Sequence, residues 1–455
     1  MAEGGTDRSM PETERVPLHG SLYSRHSRNH VEGVSVEVCN IMTRLGYGEE
    51  IRQRRVEKYR EYDMMCNELE KHLMIKGITF ITVGSKGEGL TCLQESDHDK
   101  LLVLNRFLCV EPGVDIHTIP DDIQVYRMDT RVYPGHCLML LERPTSTGFT
   151  FCNNAQCDDG KGNVLLSSSL FLHEMSKSTT DINYVIPLER AGPSLPGLGK
   201  NGTHIDMVWA LRCQCPGILK RWAERPRHWP PSNVVQKVVS FGSVVTPVGF
   251  KGSENNFLEW RICFNVGEIE LVSNLNDTQA KLYVILKMIL KEVVKPNKKE
   301  ITSFVLKNII FWQAENNTLE LFQKRNLIHW LHDALGTLRT VISCKQLQYY
   351  MIPERNLMAA CRLQAEQRLQ WVADITDMME EGPRVILRLS KIRRAIICHP
   401  EPMLSFSAIR TELEMLHLEQ MIRSMNGLVD RSDVILKKIL RRQTDIMENV
   451  TLLMF

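Results

Sequence analysis

The chain lacks any run of about eighteen apolar residues, the minimum for a membrane-spanning helix. Its first thirty residues are polar, with Glu12, Glu14, Arg15, Arg25 and Arg28 where a secretory leader needs an apolar stretch. Secretion and membrane contact are therefore not expected. The thirteen cysteines show no paired framework and sit inside apolar segments such as Arg261-Ile262-Cys263-Phe264, a usage that fits reduced core thiols in the cytoplasm, with the nucleus as a second compartment. An excess of charge of one sign is missing too, since 56 basic side chains face 54 acidic ones. The net charge gives no argument for a polyanionic partner, so a nucleic-acid surface has to be a local patch. Two such patches stand out: Arg52, Arg54, Arg55, Lys58 and Arg60, then Lys220, Arg221, Arg225 and Arg227.

What is present is enough for several cores, with 455 residues of which 43% are hydrophobic. From Glu49 to Met74 the apolar residues Ile51, Val56, Tyr59, Met64, Met65, Leu69 and Leu73 recur at three- and four-residue intervals among charges, which predicts a long amphipathic helix. Strand-like runs follow at Gly77–Val83, Lys100–Leu104, Cys137–Leu141 and Thr203–Leu211, with turn chemistry at Asp158-Asp159-Gly160 and Gly197-Leu198-Gly199. Beyond about residue 265 the pattern is helical, at Leu282–Val293, Ser303–Trp312 and Asn326–Val341. A last hundred residues add helical patterns near 357–380, 384–397, 407–424 and 432–448, with breaks at Gly382-Pro383, His399-Pro400 and Gly427. The expected units are a disordered or partly helical tail (1–48), a mixed core (49–264), a helical lobe (265–357) and a helical appendage (358–455) that is separable from the chemistry.

One constellation carries chemistry. Phosphoryl transfer to a hydroxyl uses divalent cations, which prefer converging carboxylate oxygens. Residues two apart in a strand share a face, so Asp97 and Asp99, at the start of the Leu101–Leu104 run, point together. Upstream, Gly84-Ser85 closes the strand ending at Val83, where a glycine turn, backbone amides and a hydroxyl can meet a triphosphate. Asp206 sits inside a later apolar strand, an expensive place for an acid unless it is ligated or paired.

The order Val83-Gly84-Ser85 … Asp97-His98-Asp99 resembles the signature of cyclic GMP-AMP synthase-like receptors of the Mab-twenty-one nucleotidyltransferase family. The resemblance runs on through Phe257–Phe264 with Glu268, Leu275–Gln279, Ser303–Lys307 with Phe311-Trp312, and Tyr350–Leu357, and so spans roughly residues 50 to 360. It implies an α+β, polymerase-beta-like nucleotidyltransferase core on a mixed sheet, with a helix-hairpin-helix type lobe behind it. It further implies Gly84 and Ser85 at a donor triphosphate, Asp97, Asp99 and Asp206 at Mg²⁺ or Mn²⁺, and Arg261, Glu268, Lys287 and Ser303 near the nucleotides. Phe304 falls where the family has a stacking tyrosine, and it keeps the ring face without the hydroxyl. Two departures are visible. His98 and Lys100 replace apolar residues around the second carboxylate, and Glu268 runs on to Leu275 and Lys281 without a histidine-cysteine cluster, so no zinc is expected.

The resemblance implies an enzyme that joins ATP and GTP, or other nucleoside triphosphates, into a cyclic dinucleotide when double-stranded RNA or DNA binds, as an innate immune signal. The alternative is a catalytically silent relative that acts as a scaffold or developmental regulator.

Overall fold

A computed structural model describes residues 19–72, 77–92, 95–145, 150–179, 185–188, 194–199, 204–294, 301–426 and 433–454. Residues 1–18 of the expected tail, the end of the Glu49–Met74 pattern at Leu73 and Met74, Thr203 and the break at Gly427 lie outside the described residues.

Eleven strands form one mixed sheet: β1 (Ile78–Thr82), β2 (His98–Val110), β3 (Gln124–Asp129), β4 (His136–Arg143), β5 (Gln156–Asp158), β6 (Val164–Leu166), β7 (Val185–Pro187), β8 (Leu195–Gly199), β9 (His204–Gln214), β10 (Ser243–Thr246) and β11 (Trp260–Cys263). The order β1-β2-β3-β4-β11-β10-β9-β8-β7 carries an extra β2–β9 pairing, so β2, β3, β4, β11, β10 and β9 close into a ring. Among the described residues only β2–β3 and β2–β9 are parallel. β2 is the axis of the arrangement. Its first half pairs with β1 and its second half with β3, while β9 runs along its other edge with a register shift between Leu104 and Leu108. Branched and apolar residues on both faces, from Leu101 to Val110, explain why this long strand tolerates burial on both sides. Gly197–Gly199, expected as a turn, is part of β8.

The exposed edge of β1 is covered by the helix Glu49–His72. Asn67 exchanges two hydrogen bonds with the Phe80 backbone (2.7 and 3.1 Å), and Asp63 accepts the Thr82 amide at 2.6 Å and the Thr82 hydroxyl at 2.7 Å. Side chains thus answer backbone groups that an edge strand leaves open. On one sheet face, Ile269 of the helix Asn265–Ser273 packs with Val83, Leu101, Val103 and Ala210.

The C-terminal half is helical: Asp277–Ile289, Ser303–Asn316, Leu327–Cys344, Ala365–Glu381, Ser390–Ile397, Glu401–Asn426 and Val434–Met454. Within the tail expected over 1–48 as disordered or partly helical, the described residues from 19 on are mostly helical. Ser27 caps a helix Arg28–Met42 whose Val31, Val38, Cys39, Ile41 and Met42 are buried in the main core, and Ser35 accepts the Ile328 amide at 3.1 Å. Residues 358–455 are not set apart either. The buried Arg55 of helix Glu49–His72 pairs with the equally buried Glu414 of helix Glu401–Asn426 through hydrogen bonds of 2.7 and 2.8 Å. Among the described residues no helix is long and apolar enough to cross a membrane.

Candidate functional site

The turn after β1 and the parallel β2–β9 pair create the site. Asp99 and Asp206 are direct partners in the β2–β9 register, so two carboxylates meet side by side on neighbouring strands. Asp97 lies one residue before β2 and is exposed. Burial, then the charges of Asp206, Asp97 and Glu88, push the Asp99 carboxyl up to about 7. Ser194 donates to Asp206 Oδ1 at 3.2 Å. Gly84 has φ +64°, and a Cβ there would lie 2.2 Å from Asp99 Oδ2. Only glycine fits both the backbone conformation and the approach of this carboxylate. The Val83 amide donates to the Asp99 carbonyl at 2.9 Å and locks the turn to β2.

Beyond the turn the chain opens a cavity of about 1010 Å³. Ser85, Lys287 and Ser303 line it, and Lys287 Nζ donates to Ser85 Oγ at 2.6 Å. Asp97, Asp99 and Asp206 are outside its wall, with the Gly84-Ser85 turn between the two regions. The structure thus brings Gly84, Asp97, Asp99 and Asp206 together, and Ser85, Lys287 and Ser303 together, as two adjoining groups.

The remaining expected residues occupy a third, buried layer. Glu268 is buried with both oxygens engaged: Tyr349 donates to Oε1 at 2.7 Å and Lys307 to Oε2 at 3.1 Å. Lys307 also lies 2.5 Å from Glu88. Burial would lower the Lys307 ammonium, but Glu88 and Glu268 outweigh it and hold its pKa well above the usual lysine range. Phe304 sets its ring 5.5 Å from Tyr349 and 5.6 Å from Lys307 Nζ. Arg261, on β11 opposite His136, is lowered to about 10 by burial and then by Arg355. Glu268 and Phe304 are thus held by protein partners, Arg261 Nε is buried without one, and none of the three lines the cavity.

Glu88, Lys307 and Tyr349 were not singled out from the sequence. Lys307 closed a quoted motif, yet nothing in its spacing tells a buried lysine from a surface one. Glu88 lies in a Gly-rich turn with no periodic signal. The two departures around Asp99 have local explanations. His98 is buried 3.1 Å from Thr82 Oγ1 and edge-on to Tyr59, and Lys100 donates to Tyr62 at 2.9 Å.

The basic patches are only partly taken up by the fold, since Arg52 and Arg55 are buried while Arg54, Arg60, Lys220 and Arg221 stay exposed. Arg52 donates to the Leu275 carbonyl at 2.9 Å, Arg54 pairs with Glu50, Arg55 with Glu414, and Lys58 with Glu61 and Glu419. Arg225 pairs with Glu315 and stacks over Trp312, and Arg227 covers Trp222.

Among the described residues no three His, Cys, Asp or Glu side chains form a ready ligand set for a metal ion. Magnesium does not need one, because it is usually held by one or two carboxylates together with water and substrate phosphates. Two in-register carboxylates, one of them with its carboxyl raised by burial and then by the other's charge, have the donor chemistry for such an ion. No curated protein matches the chain. The helical stretch that carries Lys287, Ser303, Phe304, Lys307, Tyr349 and Arg355, residues 278–376, matches the family model of the Mab-21 protein HhH/H2TH-like domain.

Proposed function

We propose that this protein is a nucleotidyltransferase of polymerase-beta-like design that joins nucleoside triphosphates, ATP and GTP among them, into a cyclic dinucleotide. The observation that carries the reading is the in-register pairing of Asp99 with Asp206 beside a turn that only glycine can make. When bound, Mg²⁺ or Mn²⁺ supplies charge neutralisation at the reacting phosphate and lowers the barrier for attack by a ribose hydroxyl. Asp97, Asp99 and Asp206 would hold it. Ser85 offers a hydroxyl to the donor phosphates, and Lys287, bonded to Ser85, adds a positive charge at the same point. The raised Asp99 carboxyl keeps a proton to higher pH than an ordinary aspartate, and a cation would displace it. Asp206, with one oxygen held by Ser194, would take the proton of the attacking hydroxyl.

Double-stranded RNA or DNA as activator, and a role in innate immunity, belong to the same proposal and rest on the sequence resemblance. A silent scaffold is the second reading. Two observations favour it: the carboxylates are not gathered into a ligand set, and both Glu268 oxygens are occupied by Tyr349 and Lys307.

Incubating the purified chain with four nucleoside triphosphates, Mg²⁺ or Mn²⁺, and duplex RNA or DNA separates the two. The wild type is expected to form a cyclic dinucleotide. Asp97→Asn with Asp99→Asn should abolish it while leaving the metal-free melting temperature equal or higher, because crowded carboxylates repel. No product under any condition, with a double variant that unfolds more readily, leaves the scaffold reading standing.

A further inference from the structure

The cavity beyond Ser85 is not closed by the lobes that carry the site. Its far wall comes from the last hundred residues, through Lys391 and Arg394 of helix Ser390–Ile397 and Ser407 and Arg410 of helix Glu401–Asn426. The turn Thr43–Tyr47 ties this wall in place. Ser407 donates to the Arg44 carbonyl, Arg410 to the same carbonyl at 3.5 Å, and the Arg44 guanidinium meets the His399 ring. Gly46, at φ +81°, leaves the space in which the Arg410 guanidinium lies, 2.8 Å from where a Cβ would be.

The charges that line this space are unequal. Arg44, Lys287, Lys291, Lys391, Arg394 and Arg410 face only two carboxylates, Glu95 and Glu292. Both carboxylates are already engaged. Glu95 pairs with Lys391 and accepts the Tyr47 hydroxyl and the Cys92 amide, and Glu292 accepts the Ser390 amide at 2.9 Å. Among the described residues Arg44, Lys287, Lys291, Arg394 and Arg410 have no carboxylate within ion-pair distance. The Ser96 hydroxyl, also in the wall, is buried without a partner. Like charges held around one space repel each other and create a field that only an anion of several charges can satisfy. Guanidinium groups bind carboxylate and phosphate oxygens alike with two parallel hydrogen bonds, and several cations around one space suit the many oxygens and charges of a phosphate chain better than a single carboxylate.

We infer that the C-terminal appendage is part of a polyphosphate site, with Arg394 and Arg410 taking the terminal phosphates of a chain that enters along Ser85 and Lys287. The inference rests on the proposed use of Ser85 and Lys287 by a nucleoside triphosphate, and it adds residues that the sequence assigned to a separable region. The appendage would thereby select triphosphates over monophosphates, since the longer chain brings more negative charge to a wall lined by cations.

Binding of inorganic tripolyphosphate to the full chain, measured by calorimetry, tests this without requiring catalysis. The wild type is expected to bind it, and Arg394→Glu, at an exposed position, should weaken binding by about tenfold or more. Arg410→Gln should do the same, and Arg393→Glu, which makes the same charge change next to the wall without lining it, should change it far less. The preference for ATP over AMP should shrink in Arg394→Glu in the same proportion. Equal tripolyphosphate affinity in wild type, Arg394→Glu and Arg393→Glu would overturn the inference, as would a wild type that binds none at about 1 mM. The catalytic reading fails separately: a chain that binds tripolyphosphate through Arg394 but makes no dinucleotide keeps the site and loses the enzyme. Product formation with unchanged substrate dependence in Arg394→Glu does the reverse.

Discussion

His136 begins β4 with its ring buried against Tyr133 and Phe250, and its Nε2 has no hydrogen-bond partner. Burial, then the charges of Arg261 and Arg355, push it down to about 3. The unfolded chain takes up this proton near pH 6.5 and the folded chain does not, so stability is full above that pH and falls as pH drops toward 3. The slope from this one group is at most about 1.4 kcal/mol per pH unit. His136→Gln should remove it, and equilibrium unfolding of both proteins at pH 7, 5 and 4 checks the prediction. An unchanged difference across that range would show that the folded protein protonates His136 freely. At this scale the sequence was informative where backbone chemistry forced a residue type. Gly84 and the acids around it could be read because a turn, a strand period and an in-strand carboxylate each leave a local mark. The commitment of Glu268 to Lys307 and Tyr349 could not, because its partners lie some forty and eighty residues away in the chain and no local pattern records them.

The long helix Glu49–His72 and the strands around Asp99 and Asp206 were legible from apolar period alone. β2 was read as Lys100–Leu104 but continues to Val110, because the half-buried Asn105 and Arg106 interrupt the apolar run while the backbone ladder goes on past them. Helix Arg28–Met42 was hidden by Gly33, Ser35 and Glu37, polar positions whose neighbours are nonetheless core. The contact between helices Glu49–His72 and Glu401–Asn426 left no trace in the sequence pattern, since Arg55 reads like its exposed neighbour Arg54. Its energetics are testable. Glu414→Leu alone strands a buried guanidinium and should cost about 3–5 kcal/mol. Arg55→Leu combined with Glu414→Leu should cost clearly less than the sum of the two single changes. Chemical denaturation of the four proteins measures the coupling, and simple additivity would mean that the pair is solvated in solution.

For the whole molecule, the helices of the last hundred residues pack onto the earlier ones: Glu414 meets Arg55, and Arg394 and Arg410 line the cavity with Ser85 and Lys287. The Mab-21 domain match itself runs past 357 to residue 376. Ending the chain at residue 364 would remove Glu414, Ser407 and Arg410 together, leaving Arg55 buried without its partner and the cavity without its far wall. The shortened protein should melt well below the full chain and lose tripolyphosphate binding; a folded truncation with full activity would restore the sequence-based view of the appendage. The parallel pairing of β2 with β9 has one more consequence, which concerns time. Asp99 and Asp206 are separated by roughly a hundred residues, and a parallel pair cannot close through a local hairpin. A chain growing from the ribosome therefore carries Asp97 and Asp99 long before it carries Asp206. A copy ended anywhere between Asp99 and Asp206 has the Gly84 turn and the first two acids but lacks the third. The proposed chemistry would begin only when the β2–β9 seam is complete, so an unfinished protein would not raise the signal that the finished one is proposed to make.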